Sequence, residues 1–250
     1  MYINPIEYSN FPLFTNCKNV DLSKLEFPKL NDKYILYCNP TYEYIPNTKK
    51  PLIFKTEPIN FIELDTTLIN NETFKIPFYP DQNSCLSLFK LLKGVDDLII
   101  NKFTKLILKK YKNYNYCHII KTYEITEKNK IQFCRVNFCK DFNNNINTSI
   151  FINKDNKCIK KNIKNFEEIS KYLKWNSKVQ FIIQIDKFWL NTRIKNTYNC
   201  GLKLLCLQME ILENHPDNLK DGDNYKNENI NQIKEEIMKK SNFVEYDDII

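Results

Sequence analysis

The chain has 250 residues, with 37 basic and 30 acidic side chains, a formal charge of +7 and 42% hydrophobic residues. A chain of this size and apolar content can fold around a core without a disulfide or a metal ion. It has 35 asparagines, no alanine, three glycines and two histidines. The scarce glycines exclude the loops that cradle phosphates and dinucleotides, and the two isolated histidines exclude a histidine-rich metal site. The composition therefore favours binding over catalysis and predicts no cofactor, metal or catalytic residue.

The N-terminal part of the chain is predicted to be extended, because seven of the ten prolines lie at or before Pro58. Its short apolar runs are bounded by Pro and Asn turns and are predicted as the strands Tyr34–Cys38, Leu52–Lys55 and Phe61–Leu64. A long amphipathic helix is then predicted over Ser84–Tyr111, where apolar residues recur every three or four positions. Gly94 is interpreted as a bend or break in this helix, and Asp96 and Asp97 as charges that serve the helix dipole.

Alternation of period two returns after the helix. It predicts the strands Tyr116–Ile125, Ile131–Phe138, Ser149–Ile152, Val179–Leu190 and Leu202–Leu212. Asn165, followed three residues later by Glu168, has the pattern of a capping box and predicts a short helix that ends at about Leu173. A loop that contains Gly201 is expected to join the last two strands. The pattern predicts one β-rich body over residues 1–212.

Nine cysteines form no CxxC pair and lie mostly in apolar runs, which is typical of reduced thiols. Cys117 and His118 are adjacent, but neighbours on a strand point to opposite faces, so we expect no nucleophile–base pair there. The sequence shows no signal-peptide pattern and no apolar run of membrane-spanning length. We therefore expect an intracellular, cytoplasmic protein with no membrane partner.

The charge is unevenly distributed along the chain. Residues Glu213–Ile250 include ten acidic and five basic side chains, a charge of −5, and residues 1–212 carry 32 basic and 20 acidic side chains, or +12. We predict a largely flexible acidic tail that competes with nucleic acid for the basic body and docks partner proteins. An ordinary solvated extension is the alternative. The predicted docking residues are Tyr246, Asp247, Asp248, Ile249 and Ile250.

Cations and aromatic rings lie close together in two parts of the basic body. Single-stranded nucleic acid is held by cations on its phosphates and by rings that stack on its bases. The candidate nucleic-acid-binding residues from this pattern are Lys187, Phe188, Trp189, Arg193, Lys195, Tyr198, Lys109 and Lys110. A core position for Trp189, and a solvated helix end for Lys109 and Lys110, are the alternatives.

The order of these elements and the segment Asn165–Leu212 resemble the single-stranded DNA-binding proteins of nucleocytoplasmic large DNA viruses. The stretches that carry the resemblance are Phe166-Glu167-Glu168-Ile169, Val179-Gln180-Phe181-Ile182-Ile183-Gln184, Phe188-Trp189 and Tyr198-Asn199-Cys200-Gly201-Leu202-Lys203-Leu204. The resemblance implies an α+β fold, with an OB-like or related antiparallel β-barrel or sandwich elaborated by a long mid-chain helix and a short second helix. It also implies a non-enzymatic role in viral DNA replication or recombination, in the host cytoplasm or a viral factory. It puts Phe188, Trp189 and Lys203 near the DNA groove and makes the tail a docking segment for replication proteins.

A structural or virion-assembly protein with a β-sandwich body is the alternative function. It predicts an exposed apolar patch, self-association and indifference to DNA at physiological salt. The sequence leaves open whether DNA or RNA is preferred and whether the chain forms a homo-oligomer.

Overall fold

The computed structural model describes residues 14–28, 36–61, 73–78, 83–103, 114–124, 130–154, 157–165, 168–169, 171–173, 177–194 and 197–213. The first eight strands are β1 (Thr15–Asn16), β2 (Leu25–Glu26), β3 (Leu36–Cys38), β4 (Thr41–Ile45), β5 (Thr48–Lys50), β6 (Ile53–Lys55), β7 (Ile59–Phe61) and β8 (Thr73–Phe78). The helix α1 (Asn83–Leu98) follows and continues into a π-helical turn at Ile99–Phe103. The later strands are β9 (Tyr114–Cys117), β10 (Ile120–Glu124), β11 (Lys130–Phe138), β12 (Ser149–Lys154), β13 (Lys157–Lys161), β14 (Ser177–Ile194) and β15 (Thr197–Glu213). The fold is α+β, mostly β-sheet with one long helix.

The two longest strands, β14 and β15, form the centre of the main sheet and pair with each other antiparallel along most of their length. The outer edge of β14 is covered in turn by β7, β6 and β3, which all run antiparallel to it. The outer edge of β15 is covered in turn by β9, β11 and β12, which all run parallel to it. The sheet is therefore mixed, whereas the sequence predicted an antiparallel one. The pairings among the described strands do not close into a ring, so an OB-like barrel stays a prediction.

Both central strands are longer than the sequence pattern indicated. The predicted strands Val179–Leu190 and Leu202–Leu212 extend to Ile194 on one side of the turn and begin at Thr197 on the other. Gly201 consequently lies inside β15 rather than in a loop. Glu213 is still part of β15 and pairs with Lys178.

Helix α1 passes through Gly94 without a break, which corrects the expectation of a bend there. A Cβ at Gly94 would lie 2.5 Å from Cδ1 of Leu22, so the glycine allows a short 3-10 turn, Leu22–Lys24, to approach the helix closely. The helix buries one apolar stripe against the sheet, whose residues are Cys85, Leu88, Leu91, Leu92 and Val95. None of the helices in the described ranges is both long and apolar enough to cross a membrane.

Asp96 of α1 does not serve the helix dipole, which corrects the second expectation for this helix. Its side chain is buried, and its carboxylate accepts hydrogen bonds from the Tyr116 hydroxyl at 2.7 Å and from the backbone N–H groups of Ile119 at 2.9 Å and Ile120 at 3.2 Å. The carboxylate thereby ties the helix to the break between β9 and β10. The predicted single strand Tyr116–Ile125 is divided at this break.

The capping box predicted at Asn165 is present in a shifted form, because the glutamate bonds to the residue before the cap rather than to the cap itself. Oδ1 of Asn165 accepts a hydrogen bond from the backbone N–H of Glu168 at 3.0 Å, and the Glu168 carboxylate accepts one from the N–H of Lys164 at 2.9 Å. Within the residues the structure describes here, the predicted second helix is a single turn, closed by the N–H of Tyr172 donating to the carbonyl of Ile169 at 2.9 Å.

Candidate nucleic-acid interface

Trp189 and Gly201 form the centre of one surface of the main sheet. They are cross-strand partners in β14 and β15, and a Cβ at Gly201 would lie 2.8 Å from Cζ2 and 3.1 Å from Cε2 of Trp189. The indole therefore lies across the backbone of residue 201, and only glycine lets the ring approach so closely. The same Cβ would lie 3.3 Å from Cβ of Cys117 on β9, and Trp189 pairs on its other side with Tyr37 of β3. Four strands thus carry one row of residues with a half-buried tryptophan at its centre.

Lys187 and Lys203 lie next to this row. They are paired across β14 and β15, two residues from Trp189 and Gly201 respectively, so strand alternation puts all four on the same face. Within the described ranges, no carboxylate lies within 4 Å of either ammonium group. Two like charges directly opposite each other are unfavourable in an isolated sheet. A bound anion would relieve that repulsion.

Three asparagines continue the same face on the far side of Trp189. Asn191 pairs with Asn199, and Asn199 pairs with Asn115 of β9. Side-chain amides both donate and accept hydrogen bonds and can meet either bases or phosphates. We name the whole surface the Trp189 face; its residues are Tyr37, Asn115, Cys117, Lys187, Trp189, Asn191, Asn199, Gly201 and Lys203.

The structure separates two predicted binding residues from this face. Phe188 is fully buried and packs edge-on against Phe27, with ring centroids 6.3 Å apart. It is a core residue, which corrects its assignment as a residue of the DNA groove. Tyr198 is half-buried against the core, on the face opposite Gly201. The reason is the period of a strand: if Trp189 faces outward, the residue beside it faces inward.

Several other predicted residues cannot be compared with the structure. Lys195, Lys109 and Lys110 lie outside the described residues, as does the side chain of Arg193. The predicted docking residues of the tail also lie outside them, namely Tyr246, Asp247, Asp248, Ile249 and Ile250.

Sequence reasoning missed Tyr37, Gly201 and the three asparagines as members of this face. Gly201 had no direct signal, because counting back from the Ile194–Thr197 pair puts Leu202 opposite Trp189, and a register shift between Asn191 and Ile194 brings Gly201 there instead. Tyr37 had none, because β3 is far from β14 in sequence and only the fold brings them together.

The cysteines beside this face are poor nucleophiles. Burial, with a smaller contribution from the neighbouring Cys117, raises the pKa of the Cys200 thiol to about 12. Burial also raises the pKa of the Cys139 thiol; the Asp186 carboxylate adds to the rise, and the Lys203 ammonium opposes it. All nine cysteines are free thiols, and in the part of the chain that the structure describes no three His, Cys, Asp or Glu side chains are grouped to hold a metal ion.

No protein-family model and no curated protein sequence matches this chain. Among solved structures, the chain is similar to gp2.5, a single-stranded DNA binding protein encoded by bacteriophage T7. The match covers 68% of this chain and 96% of that one, with 13% sequence identity and a TM-score of 0.33. A TM-score of this size does not define a shared fold. The resemblance to the single-stranded DNA-binding proteins of nucleocytoplasmic large DNA viruses stays a prediction.

Proposed function

We propose that this protein binds single-stranded DNA on the Trp189 face, independently of sequence, and acts in DNA replication or recombination without catalysing a reaction. The observation that carries the proposal is the shared face on which an indole crosses Gly201 beside the paired Lys187 and Lys203. A ring can stack on any base and an ammonium group can bind any phosphate, so the combination supports binding without reading sequence.

The close packing of the Trp189 ring on the backbone of Gly201 also favours binding. Because the ring lies directly against the backbone of Gly201, its orientation is restricted before any ligand arrives. A restricted ring loses little conformational freedom on binding, and more of the stacking energy is retained as affinity. The asparagine row extends the surface with groups that hydrogen-bond to any base.

The acidic tail completes the proposal. Its charge of −5 opposes the +12 of residues 1–212, so it competes with DNA for the basic surface and is released for partners when DNA binds. Its terminal residues Tyr246–Ile250 dock replication proteins, and the protein works inside the cell, in the cytoplasm.

A titration that follows Trp189 fluorescence tests the proposal. The chain has two tryptophans, so Trp175→Phe leaves Trp189 as the reporter. Adding an oligothymidylate is expected to quench the emission, with an affinity that falls as salt rises. For single strands the logarithm of the binding constant falls with the logarithm of salt by about 0.7 for each phosphate contact. Lys187→Ala and Lys203→Ala are each expected to reduce this slope by about 0.7.

Lys90→Ala is the matched control. Lys90 is an exposed lysine of α1, and the Asp96–Tyr116 hydrogen bond shows that α1 packs on the opposite face of β9. It is expected to leave the salt slope unchanged. Unchanged fluorescence together with unchanged gel mobility of the oligonucleotide at low salt overturns the proposal. Self-association of a DNA-indifferent protein would favour the structural alternative, and equal binding of oligouridylate would extend the ligand to RNA.

A further inference from the structure

Phe142 is the most exposed large apolar residue among those the structure describes, with a relative exposure of 109%. It lies at the tip of the loop between β11 and β12. A single exposed phenylalanine is common on protein surfaces and by itself has no meaning. Phe142 differs from such residues in two respects: its loop is held by hydrogen bonds, and the loop lies at one end of the Trp189 face.

The loop that carries Phe142 is tightly bonded. Oδ1 of Asp141 accepts hydrogen bonds from the N–H groups of Asn143 and Asn145, both at 2.8 Å, and Oδ2 accepts one from Nδ2 of Asn145 at 3.0 Å. Asn144 has a φ of 67°, a left-handed conformation that asparagine tolerates. These bonds fix the backbone on both sides of Phe142. The exposed ring is therefore attached to an ordered loop.

The base of the loop is anchored to β15. The Thr148 hydroxyl donates to the carbonyl of Cys206 at 2.7 Å and accepts from the N–H of Cys139 at 2.9 Å. Phe138, the last residue of β11, pairs with Cys206 of β15. The loop therefore starts three residues along β15 from Lys203, at one end of the Trp189 face. Phe142 follows three positions after Cys139, a reach of about 10 Å.

The charges around the ring suit a polyanion. Lys140 flanks the tip, and the charge of Lys164 acts on Asp141. Hydrogen bonds from Asn145 hold the pKa of the Asp141 carboxyl below its usual range, and that carboxylate is engaged within the loop. An exposed ring on a loop that also carries a lysine has the chemistry of a base-stacking site beside a cation.

We infer that Phe142 is a second stacking residue, reached by the single strand after it crosses Trp189 and passes Lys203. This inference rests on the proposed function. Single-stranded sites on surfaces of this kind span about four to sixteen nucleotides, so we expect a strand that contacts both rings to be longer than the shortest of these. The two rings then hold the strand at two points, with Lys187 and Lys203 on the phosphates between them.

The experiment compares two ligand lengths. Phe142→Ala is expected to weaken binding of an oligothymidylate of about sixteen nucleotides by about 5- to 150-fold, the usual effect of losing one stacked base. Binding of an oligothymidylate of about four nucleotides at Trp189 is expected to be unchanged. Phe142→Tyr retains the stacking face and is expected to restore the affinity. Phe142→Leu retains an apolar side chain without a flat ring and is expected to behave like Phe142→Ala.

Ile159→Ala is the matched control, because Ile159 is also an exposed apolar residue, on β13, with 41% exposure. It is expected to bind both oligonucleotides like the wild type. Equal affinity of Phe142→Ala and wild type for the long oligonucleotide overturns the inference, and so does loss of self-association by Phe142→Ala without a change in DNA affinity. The proposed function fails differently, because then the wild type itself binds neither ligand.

Discussion

Trp189 and Phe188 are neighbours in sequence but lie in opposite environments, one half-buried on the outer face and the other fully buried in the core. The sequence pattern of cations and rings finds such a cluster but does not divide it. To separate the residues that face outward from those that face the core, one must know which residues of β14 alternate together. The pairing register of β14 with β15 shows this. Lys187, Trp189 and Lys203 could be selected from the sequence as candidate binding residues but not assigned to one face. Tyr37 could not be selected, because its partner Trp189 is more than 100 positions away in sequence.

Asp96 carries the sharpest prediction for a single residue. Asp96→Ala leaves the buried N–H group of Ile119, and the partly buried Tyr116 hydroxyl and Ile120 N–H group, without their acceptor. Each unsatisfied buried group costs about 1 to 3 kcal/mol, so the free energy of unfolding is expected to fall by about 3 kcal/mol or more. Urea denaturation followed by circular dichroism measures the change.

Asp97→Ala is the control for Asp96. Asp97 is exposed and its Oδ1 lies 3.3 Å from the Lys93 ammonium, an exposed helix pair whose removal changes the free energy of unfolding by about 0.5 kcal/mol or less. Equal effects of the two substitutions would contradict the anchoring role of Asp96.

Sequence periodicity located the centres of the long elements and missed their ends. The alternation in β14 stops near Leu190, yet the strand continues to Ile194 because β15 pairs with it up to that point. The short strand β8 contains Pro77, a residue that is disfavoured inside a sheet. Proline is tolerated in a strand with a free edge, and β11 is the only described partner of β8. Pairing in three dimensions therefore sets the ends of strands that local sequence leaves undefined.

The contact between Gly94 and Leu22 can be tested as a double-mutant cycle. An alanine inside a helix is favoured over glycine by about 1 kcal/mol, but a Cβ at position 94 would lie 2.5 Å from Cδ1 of Leu22. Gly94→Ala is therefore expected to give no gain in the wild type. In the Leu22→Ala background it is expected to stabilise by about 0.5 to 1 kcal/mol. Thermal unfolding of the four proteins measures the coupling, and the same gain in both backgrounds would show that the contact does not limit residue 94.

At the scale of the whole molecule, the sequence predicted the α+β class but not the arrangement of the sheet. The net charge of each part of the chain is a sum over its residues and can be counted from the sequence alone. The order of strands in a sheet is not such a sum, because it depends on which distant segments pair. The parallel partners β9, β11 and β12 reach β15 only through long connections, and no local pattern specifies the order in which they line its edge.

Removal of the acidic tail tests the charge split directly. Glu213 ends β15 and pairs with Lys178, so a chain ending at residue 213 keeps the whole central hairpin. This truncation is expected to raise the affinity for single-stranded DNA severalfold at low salt, because the competing charge of −5 has been reduced to that of Glu213 alone. The gain is expected to disappear near 1 M salt, where the screening length falls to about 3 Å. A full-length chain whose tail carboxylates are replaced by Asn and Gln separates charge from length, and it is expected to bind as tightly as the truncated protein. Unchanged or weaker binding by both proteins at low salt would contradict competition between the tail and DNA for the basic surface.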